Sequence, residues 1–279
     1  MDVEEGMSSS ASPKLPPDWQ VPGFEAPLWL GRRHPYCVVI PVINEGERIG
    51  RLLGRIAELK IAQIADVIIA DGGSTDGSLV EPLRTNDVRG LLVKTGDGKL
   101  SAQLRCAYAF ALDQGYQGIV TIDGNDKDDP AAIPRFVEAL EQGIDFVQAS
   151  RFISGGVAVN TPKLRDFAIR LIHAPMLSLF SGFRWTDTTQ GFRAYSRTMM
   201  LDPQVAPFRD TFMTYELLAY LSYCAPRLGY RCVELPTTRR YPRNEVPTKI
   251  SGLRSNLSLL LILIRACLGH YGPIEPQPR

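Results

Sequence analysis

The sequence predicts an α/β fold built on a mostly parallel, doubly wound sheet. Three observations predict it. Short apolar runs alternate with segments of helical periodicity. The loops that follow those runs are polar and rich in Gly, Asp and Asn. The 279 residues suffice for one large buried core but not for two equal ones.

In chain order, residues 1–33 carry Pro13, Pro16, Pro17, Pro22 and Pro27 among Ser and Gly. That composition buries too little apolar surface to offset ordering entropy, so a flexible arm is expected there. From Tyr36, "YCVVIPV" reads as a buried strand, and Ile49, Leu52, Leu53 and Ile56 then recur at helix spacing. "DVIIA" (66–70) and "GLLVK" (90–94) are the next strands, followed by a helix over 101–112. "GIVTI" (118–122), a helix over 133–140 and "DFVQA" (145–149) complete the alternation. Strands joined by helices of this length form βαβ units and hence a parallel sheet. Beyond residue 160 come a long helix over 164–180 broken at Pro175, a polar stretch "WTDTTQGFRAYSR", a helix over 211–228 and a strand "RCVEL". The expected organisation is an arm over 1–33, one α/β domain over 34–250, and a C-terminal amphipathic helix and tail over 251–279.

Charge and cysteine usage exclude several function classes. Lys plus Arg (31) and Asp plus Glu (30) nearly cancel, so no global field draws the chain onto nucleic acid. The five cysteines, Cys37, Cys106, Cys224, Cys232 and Cys267, are scattered without a CxxC, which predicts reduced thiols and no zinc site. The acidic start, Met1 to Gly6, carries no basic-then-apolar signal pattern, and a cytoplasmic protein is expected. The best apolar run, Leu257 to Leu268, is interrupted by Arg265 and falls short of the ~20 residues of a membrane span. With Arg254 and Arg265 at its flanks it reads either as a helix lying on the inner membrane surface or as a core or oligomer-interface helix.

In open α/β sheets, ligands bind beyond the carboxyl ends of the strands. Five polar loops would share that rim: "NEGE", "DGGSTDGS", "TGDGK", "DGNDKDD" and "SRFISGG". In the fourth, Asp123 and Asn125 supply oxygens of the kind that Mg2+ takes when it is also held by the phosphates of a nucleotide, with Gly124 giving the diphosphate room. The competing reading is a solvated acidic turn in which Asp129 caps a helix begun by Pro130. In the second loop, the strand-end carboxylate Asp71 can accept a hydrogen bond from a nucleobase imide, or the segment is a Gly-rich turn capped by Ser74 or Asp76. Pro41 closes the first strand, and Asn44 is expected to cap the next helix with Glu45 in its first turn.

"VVIPVINEGERI", "IIADGGSTDGS", "IVTIDGNDKDDP", "DFVQASRFISGG", "TDTTQGFRAYSR" and "GYRCVELP" resemble, in order and spacing over about residues 36–250, the family-two inverting glycosyltransferases. Within them the set is most similar to the dolichol-phosphate mannosyltransferase-like branch. The resemblance implies a GT-A fold whose second half is an acceptor-side helical extension. It also implies a GDP- or UDP-linked sugar donor, Mg2+ or Mn2+, and a polyprenyl-phosphate acceptor. A glycan or glycolipid acceptor, and a non-catalytic nucleotide-sugar-binding protein, are the other readings.

Carried over by position, Pro41, Ile43, Glu45, Ala70, Asp71 and Gly72 would line the base and ribose pocket. Asp123, Gly124 and Asn125 would hold metal and diphosphate, and Arg151 would sit at the reacting phosphates. Arg243 and Lys249 would supply further cations to the diphosphate. Asp187 would be the base or acceptor-positioning group, with Gln190 and Arg193 beside it. Arg165 and Arg170 either face an acceptor phosphate or line a solvated helix face. The sequence departs from the pattern at Gly72, where the family has a second acid, and at Asn125, which removes a charge from the metal site. Lys127 replaces a neutral side chain, and Ile43 an aromatic one. No Q-x-x-R-W string is present, which favours transfer of a single sugar. A membrane-surface contact or a membrane partner subunit would bring the chain to a lipid acceptor.

Overall fold

The computed structural model describes residues 15–85, 87–242 and 253–273. Its centre is an eight-stranded sheet: β1 (Phe24–Trp29), β2 (Tyr36–Val42), β3 (Asp66–Asp71), β4 (Val88–Lys94), β5 (Gly118–Thr121), β6 (Phe146–Ser150), β8 (Arg193–Ser196) and β9 (Cys232–Pro236). The spatial order is β1-β4-β3-β2-β5-β8-β6-β9. β4, β3, β2 and β5 run parallel, as do β6 and β9, while β1 and β8 are antiparallel to their neighbours. β7 (Val157–Val159) and β10 (Thr238–Arg240) form a separate parallel pair.

The central strands are apolar throughout because both sheet faces are covered, and successive side chains leave on opposite faces. Cys37 and Val39 of β2 join one core with α3 (Leu100–Asp113), α6 (Ala174–Ser181), α8 (Glu216–Arg227) and α9 (Leu253–Cys267). Val38, Ile40 and Val42 join the other, under α1 (Glu47–Glu58) and α4 (Ile133–Glu141). The α1 stripe Ile49, Leu52, Leu53 and Ile56 is buried as its periodicity requires. The remaining helices are α2 (Val80–Thr85), α5 (Lys163–Ala168) and α7 (Arg197–Leu201). Between α5 and α6 the helix widens to a π turn over Ile169–His173. Pro175, in the first turn of α6, has no N–H to give the preceding turn, and the break expected at that proline takes this form.

Two boundaries differ from expectation. The arm is structured from residue 15 onward: β1 pairs with β4, Trp19 stacks on Phe208 at 3.9 Å, and the Gln20 N–H donates to the Phe208 carbonyl at 2.8 Å. Pro27 is tolerated within β1 because that strand lies at the sheet edge and the proline falls in the register shift between Glu25 and Leu28. At the other end α9 belongs to the same body. Ile262, Leu263, Ala266 and Cys267 are buried against α8 and α6, whereas Leu257, Leu261 and Leu268 are exposed. Among the described residues no helix is long and apolar enough to cross a membrane.

The antiparallel β8 matters most for the site. Because it runs against both β5 and β6, the segment that precedes it reaches the sheet at the rim where those strands end. Residues 186–192 therefore face the loops after β5 and β6.

Asp66, at the start of β3, anchors the connection into β2: its Oδ2 accepts from the Arg33 and His34 amides at 2.7 and 3.1 Å and from the Tyr116 hydroxyl at 2.7 Å. Asp66→Ala strands three donors and is expected to destabilise the fold by about 3 kcal/mol, read from urea unfolding midpoints. A change below about 0.5 kcal/mol would mean that solvent replaces the carboxylate.

Candidate active site

The first two rim loops hold each other. The Asn44 N–H donates to Ser74 Oγ (3.0 Å), the Thr75 N–H to Asn44 Oδ1 (2.8 Å), and the Gly46 N–H to Asp76 Oδ2 (3.0 Å). Asn44 is thus a loop latch and not the cap of α1, whose N-cap is Gly46. The Asp71 carboxylate accepts from the Ser74 N–H at 3.0 Å and from its hydroxyl at 2.6 Å. Pro41 and Ala70 are buried side by side, and Glu45 pairs with Arg48 Nε at 3.0 Å, while Ile43 is exposed. At Gly72 a Cβ would lie 3.3 Å from Gln103 Oε1. The Gln103 amide, buried on α3, donates to the Val42 and Ala70 carbonyls. That side chain, which belongs to none of the rim motifs, fills the space beside Gly72.

The loop after β5 is shaped by exclusion. A Cβ on Gly124 would lie 2.9 Å from Val42 Cγ2 and 3.0 Å from the Pro41 carbonyl. The glycine is therefore required by β2 itself, a packing constraint that stands beside the room for a diphosphate expected of it. Asp123 Oδ2 faces Arg239 Nη2 at 3.4 Å and Asn125 Nδ2 at 3.5 Å. A Cβ on Gly191 would overlap Asp123 Oδ1, so the absence of a side chain there keeps that oxygen accessible. Asp126, at φ 55°, is held to α1 by Arg51 (3.4 Å) and Arg55 (3.1 Å). Asp129 caps the turn that Pro130 begins, accepting from the Ala131 N–H at 3.2 Å.

The loop after β6 meets the segment before β8 through a buried ion pair. Arg151 Nε donates to Asp187 Oδ2 at 2.7 Å and Nη2 to Oδ1 at 3.2 Å, both side chains being fully buried. Gln190 Nε2 also donates to Asp187. Glu234 of β9 accepts from the Thr186 and Asp187 amides at 2.9 and 3.0 Å, and burial pushes its carboxyl up. Arg151 Nη1 is buried and has no hydrogen-bond partner among the described residues. Arg193 does not face an acceptor: its guanidinium donates to the Gln190, Leu218 and Thr188 carbonyls and to Ser222 Oγ. It is a strut between β8 and α8, and the acceptor role expected for it is corrected.

A further group assembles around Tyr241, just past β10. Lys127, Arg151, Arg165 and Arg239 lie 5.3, 6.0, 5.9 and 5.7 Å from its ring centroid. Its oxygen accepts from Arg165 Nη1 at 3.3 Å and Arg239 Nε at 3.4 Å. Its backbone is fixed to β7, through the Val159 carbonyl (2.9 Å) and the Asn160 amide (3.1 Å). Arg239 also pairs with the buried Asp128. Burial alone would raise the Tyr241 phenol, but Arg239, Arg165 and Arg151 outweigh it and lower the pKa to about 8. Burial, with the nearby Arg239, pushes Lys127 down to about 8. Four cations from four chain segments converge here. Arg243 and Lys249, expected to add two more, lie outside the described residues.

The family model described as glycosyl transferase family 2 matches residues 37–202, a stretch that contains the β2, β3, β5 and β6 loops and the Arg151–Asp187 pair. The chain belongs to glycosyl transferase family 2. This glycosyltransferase is 30% identical over 207 residues to the undecaprenyl-phosphate mannosyltransferase of Micrococcus luteus, covering 72% of this chain and 81% of that one. It is 26% identical over 213 residues to the polyprenol monophosphomannose synthase of Mycolicibacterium smegmatis, covering 72% and 76%. Its fold is GT-A. The glucosyl-3-phosphoglycerate synthase of Mycobacterium tuberculosis, solved with Mn2+, UDP-glucose and phosphoglyceric acid, superposes with a TM-score of 0.63 at 19% identity, covering 86% of this chain and 79% of that one.

Two outcomes test this geometry. Gly191→Ala places a methyl group against Asp123 Oδ1, so sugar transfer is expected to fall about a hundredfold with the circular dichroism spectrum retained. Undiminished transfer would separate Asp123 from the chemistry. Ultraviolet difference titration should show one phenol ionising near 8, below the ordinary ~10, and Tyr241→Phe should remove that step alone.

Proposed function

We propose that this glycosyltransferase moves a single sugar from a GDP- or UDP-linked donor to a polyprenyl phosphate. The observation that carries the reading is the convergence of Lys127, Arg151, Arg165 and Arg239 on Tyr241 at the strand-end rim. A reaction that brings a donor diphosphate and an acceptor phosphate together needs such a concentration of positive charge. The names of the relatives, which act on undecaprenyl and polyprenol phosphates, supply the acceptor class.

In this reading an acceptor phosphate oxygen attacks the anomeric carbon as the bond to the donor's diphosphate breaks. The nucleoside diphosphate leaves with the electron pair. The acceptor oxygen is already anionic near neutral pH, so no strong general base is required. Asp187, whose oxygens are engaged by Arg151 and Gln190, positions Arg151 and leaves Nη1 for a phosphate. Pro41, Ile43, Glu45, Ala70, Asp71 and Gly72 form the base and ribose side. Arg165 faces the acceptor phosphate, and Gln190 supports Asp187 behind it.

The residues fit a divalent cation that draws most of its ligands from the donor. Asp123 offers one accessible oxygen and Asn125 an amide oxygen, which with phosphate oxygens matches the way Mg2+ is usually held. Bound there, Mg2+ or Mn2+ would neutralise charge on the leaving diphosphate. Solved structures of the Mycobacterium tuberculosis synthase with Mn2+ and with Mg2+ agree with that choice of metal.

The direct test is transfer from radiolabelled GDP- and UDP-sugars to a short-chain isoprenyl phosphate, with product identified by mass spectrometry. Lack of product with every donor and with both metals would overturn the reading. Asp123→Ala is expected to abolish transfer while leaving the unfolding temperature within a few degrees of wild type. Asn125→Asp restores a charged ligand and should tighten Mn2+ binding, read by calorimetry in the presence of nucleoside diphosphate. An unchanged midpoint would place Asn125 outside the coordination sphere.

A further inference from the structure

The sequence offers α9 either as a helix on a membrane surface or as a core helix; the structure buries one of its faces, and a second helix carries a longer exposed apolar stripe. On the helix from α5 through the π turn to α6, Leu164, Phe167, Leu171 and Leu179 are 76%, 54%, 62% and 79% exposed. With the exposed Pro175 they recur every three or four residues, which places them on one face. Not one residue of α5 is buried. The stripe runs over roughly 23 Å of helix. Isolated exposed leucines need no explanation, but a continuous apolar stripe marks an interaction surface.

Its charge identifies the occupant. Between residues 163 and 184 the chain carries Lys163, Arg165, Arg170 and Arg184 against a single acid, Asp166, although the whole protein has a net charge of only +1. A second copy meeting this face through the same patch would set basic residues against basic residues. An anionic lipid surface instead complements both features, since it accepts apolar side chains at the acyl boundary and cations at the headgroups. The stripe also adjoins the site, because Arg165 reaches the Tyr241 hydroxyl and Arg170 stacks over Phe152 at 4.1 Å, next to Arg151.

We propose that the α5–α6 stripe is the face by which this protein docks on an anionic bilayer, with Leu164, Phe167, Leu171 and Leu179 seated at the headgroup–acyl boundary. The proposal deepens the polyprenyl-phosphate reading and rests on it, since a bilayer is where such an acceptor resides. It moves the docking face from α9 to the helix that carries Arg165.

The experiment is co-sedimentation of the full chain with phosphatidylcholine vesicles, with and without phosphatidylglycerol, at low and high salt. Wild type is expected to sediment with the anionic vesicles and to be released as salt rises. Leu164→Glu with Leu171→Glu should weaken this at least roughly tenfold, because two apolar side chains that would insert into the bilayer become carboxylates facing anionic lipid. Both positions are exposed, so the unfolding temperature and transfer to a water-soluble short-chain isoprenyl phosphate should be unchanged. Leu257→Glu with Leu261→Glu on α9 should leave most vesicle binding in place. Vesicle binding that is absent in wild type, unaffected by the α5–α6 pair, or abolished only by the α9 pair would overturn the proposal. So would a wild-type dimer in sedimentation velocity that the α5–α6 pair converts to monomer. Vesicle binding lost as expected, with no transfer by wild type to any isoprenyl phosphate, would retain the docking face and reject the acceptor assignment.

Discussion

The buried pair between Arg151 and Asp187 is the interaction on which the site depends. Arg151 is the first residue past β6, and Asp187 lies in the segment that enters β8. The two-point contact therefore fixes the ends of adjacent strands that run in opposite directions. Glu234, from the next strand, clamps the backbone of Thr186 and Asp187. Buried ion pairs add little net stability against a hydrophobic alternative, yet removing one partner strands a charge and typically costs about 3–5 kcal/mol. What this pair secures is geometry. It holds a guanidinium rigid at the rim with one nitrogen that has no partner among the described residues.

Tyr241 solves a second problem, which is keeping four cations together before any anion arrives. Like charges within a few ångströms repel, and burial removes the water that would screen them. The ring offers its electron-rich face to Lys127, Arg151, Arg165 and Arg239, and its oxygen accepts from two of them. Asp187 and Asp128 neutralise Arg151 and Arg239. The lowered phenol pKa records the remaining positive potential. A phosphate entering the cluster gains from a field already organised to receive it.

The parallel core was legible because buried strands and amphipathic helices leave periodic traces. β2, β3 and the α1 stripe stand where the pattern of Val, Ile and Leu puts them. The elements that were missed lack that trace. β1 lies in a Pro-rich segment and gains its place from edge pairing and from aromatic contacts such as Trp29 on Phe110. β8 is four residues long and begins with an arginine whose partners, three backbone carbonyls and Ser222 Oγ, lie up to 29 positions away. The site divides in the same way. Asp123, Arg151 and Asp187 sit at strand ends within recognisable strings. Arg239 and Tyr241 carry no local signature, since their meaning comes only from segments that folding brings together. Gly124 was legible as a residue, but its packing role was not, because the Val42 and Pro41 atoms that exclude a Cβ belong to a neighbouring strand.

One helix joins the charged site to the apolar surface. On α5, Leu164 and Arg165 are adjacent, and a single residue step turns about 100° around a helix axis. Leu164 therefore points to solvent while Arg165 points back to Tyr241. Any surface that takes up Leu164, Phe167 and Leu171 is held at a fixed distance from Arg165, because both faces belong to one rigid element about 10 Å across. A substrate with a long apolar tail and a phosphate head has the same two-part character, its tail staying in the layer on which the apolar face rests and its head stopping at the cations. Recognition of such a molecule then needs no enclosed pocket for the tail. The fold only has to present a basic cluster at a set height above an apolar plane, and α5 sets that height.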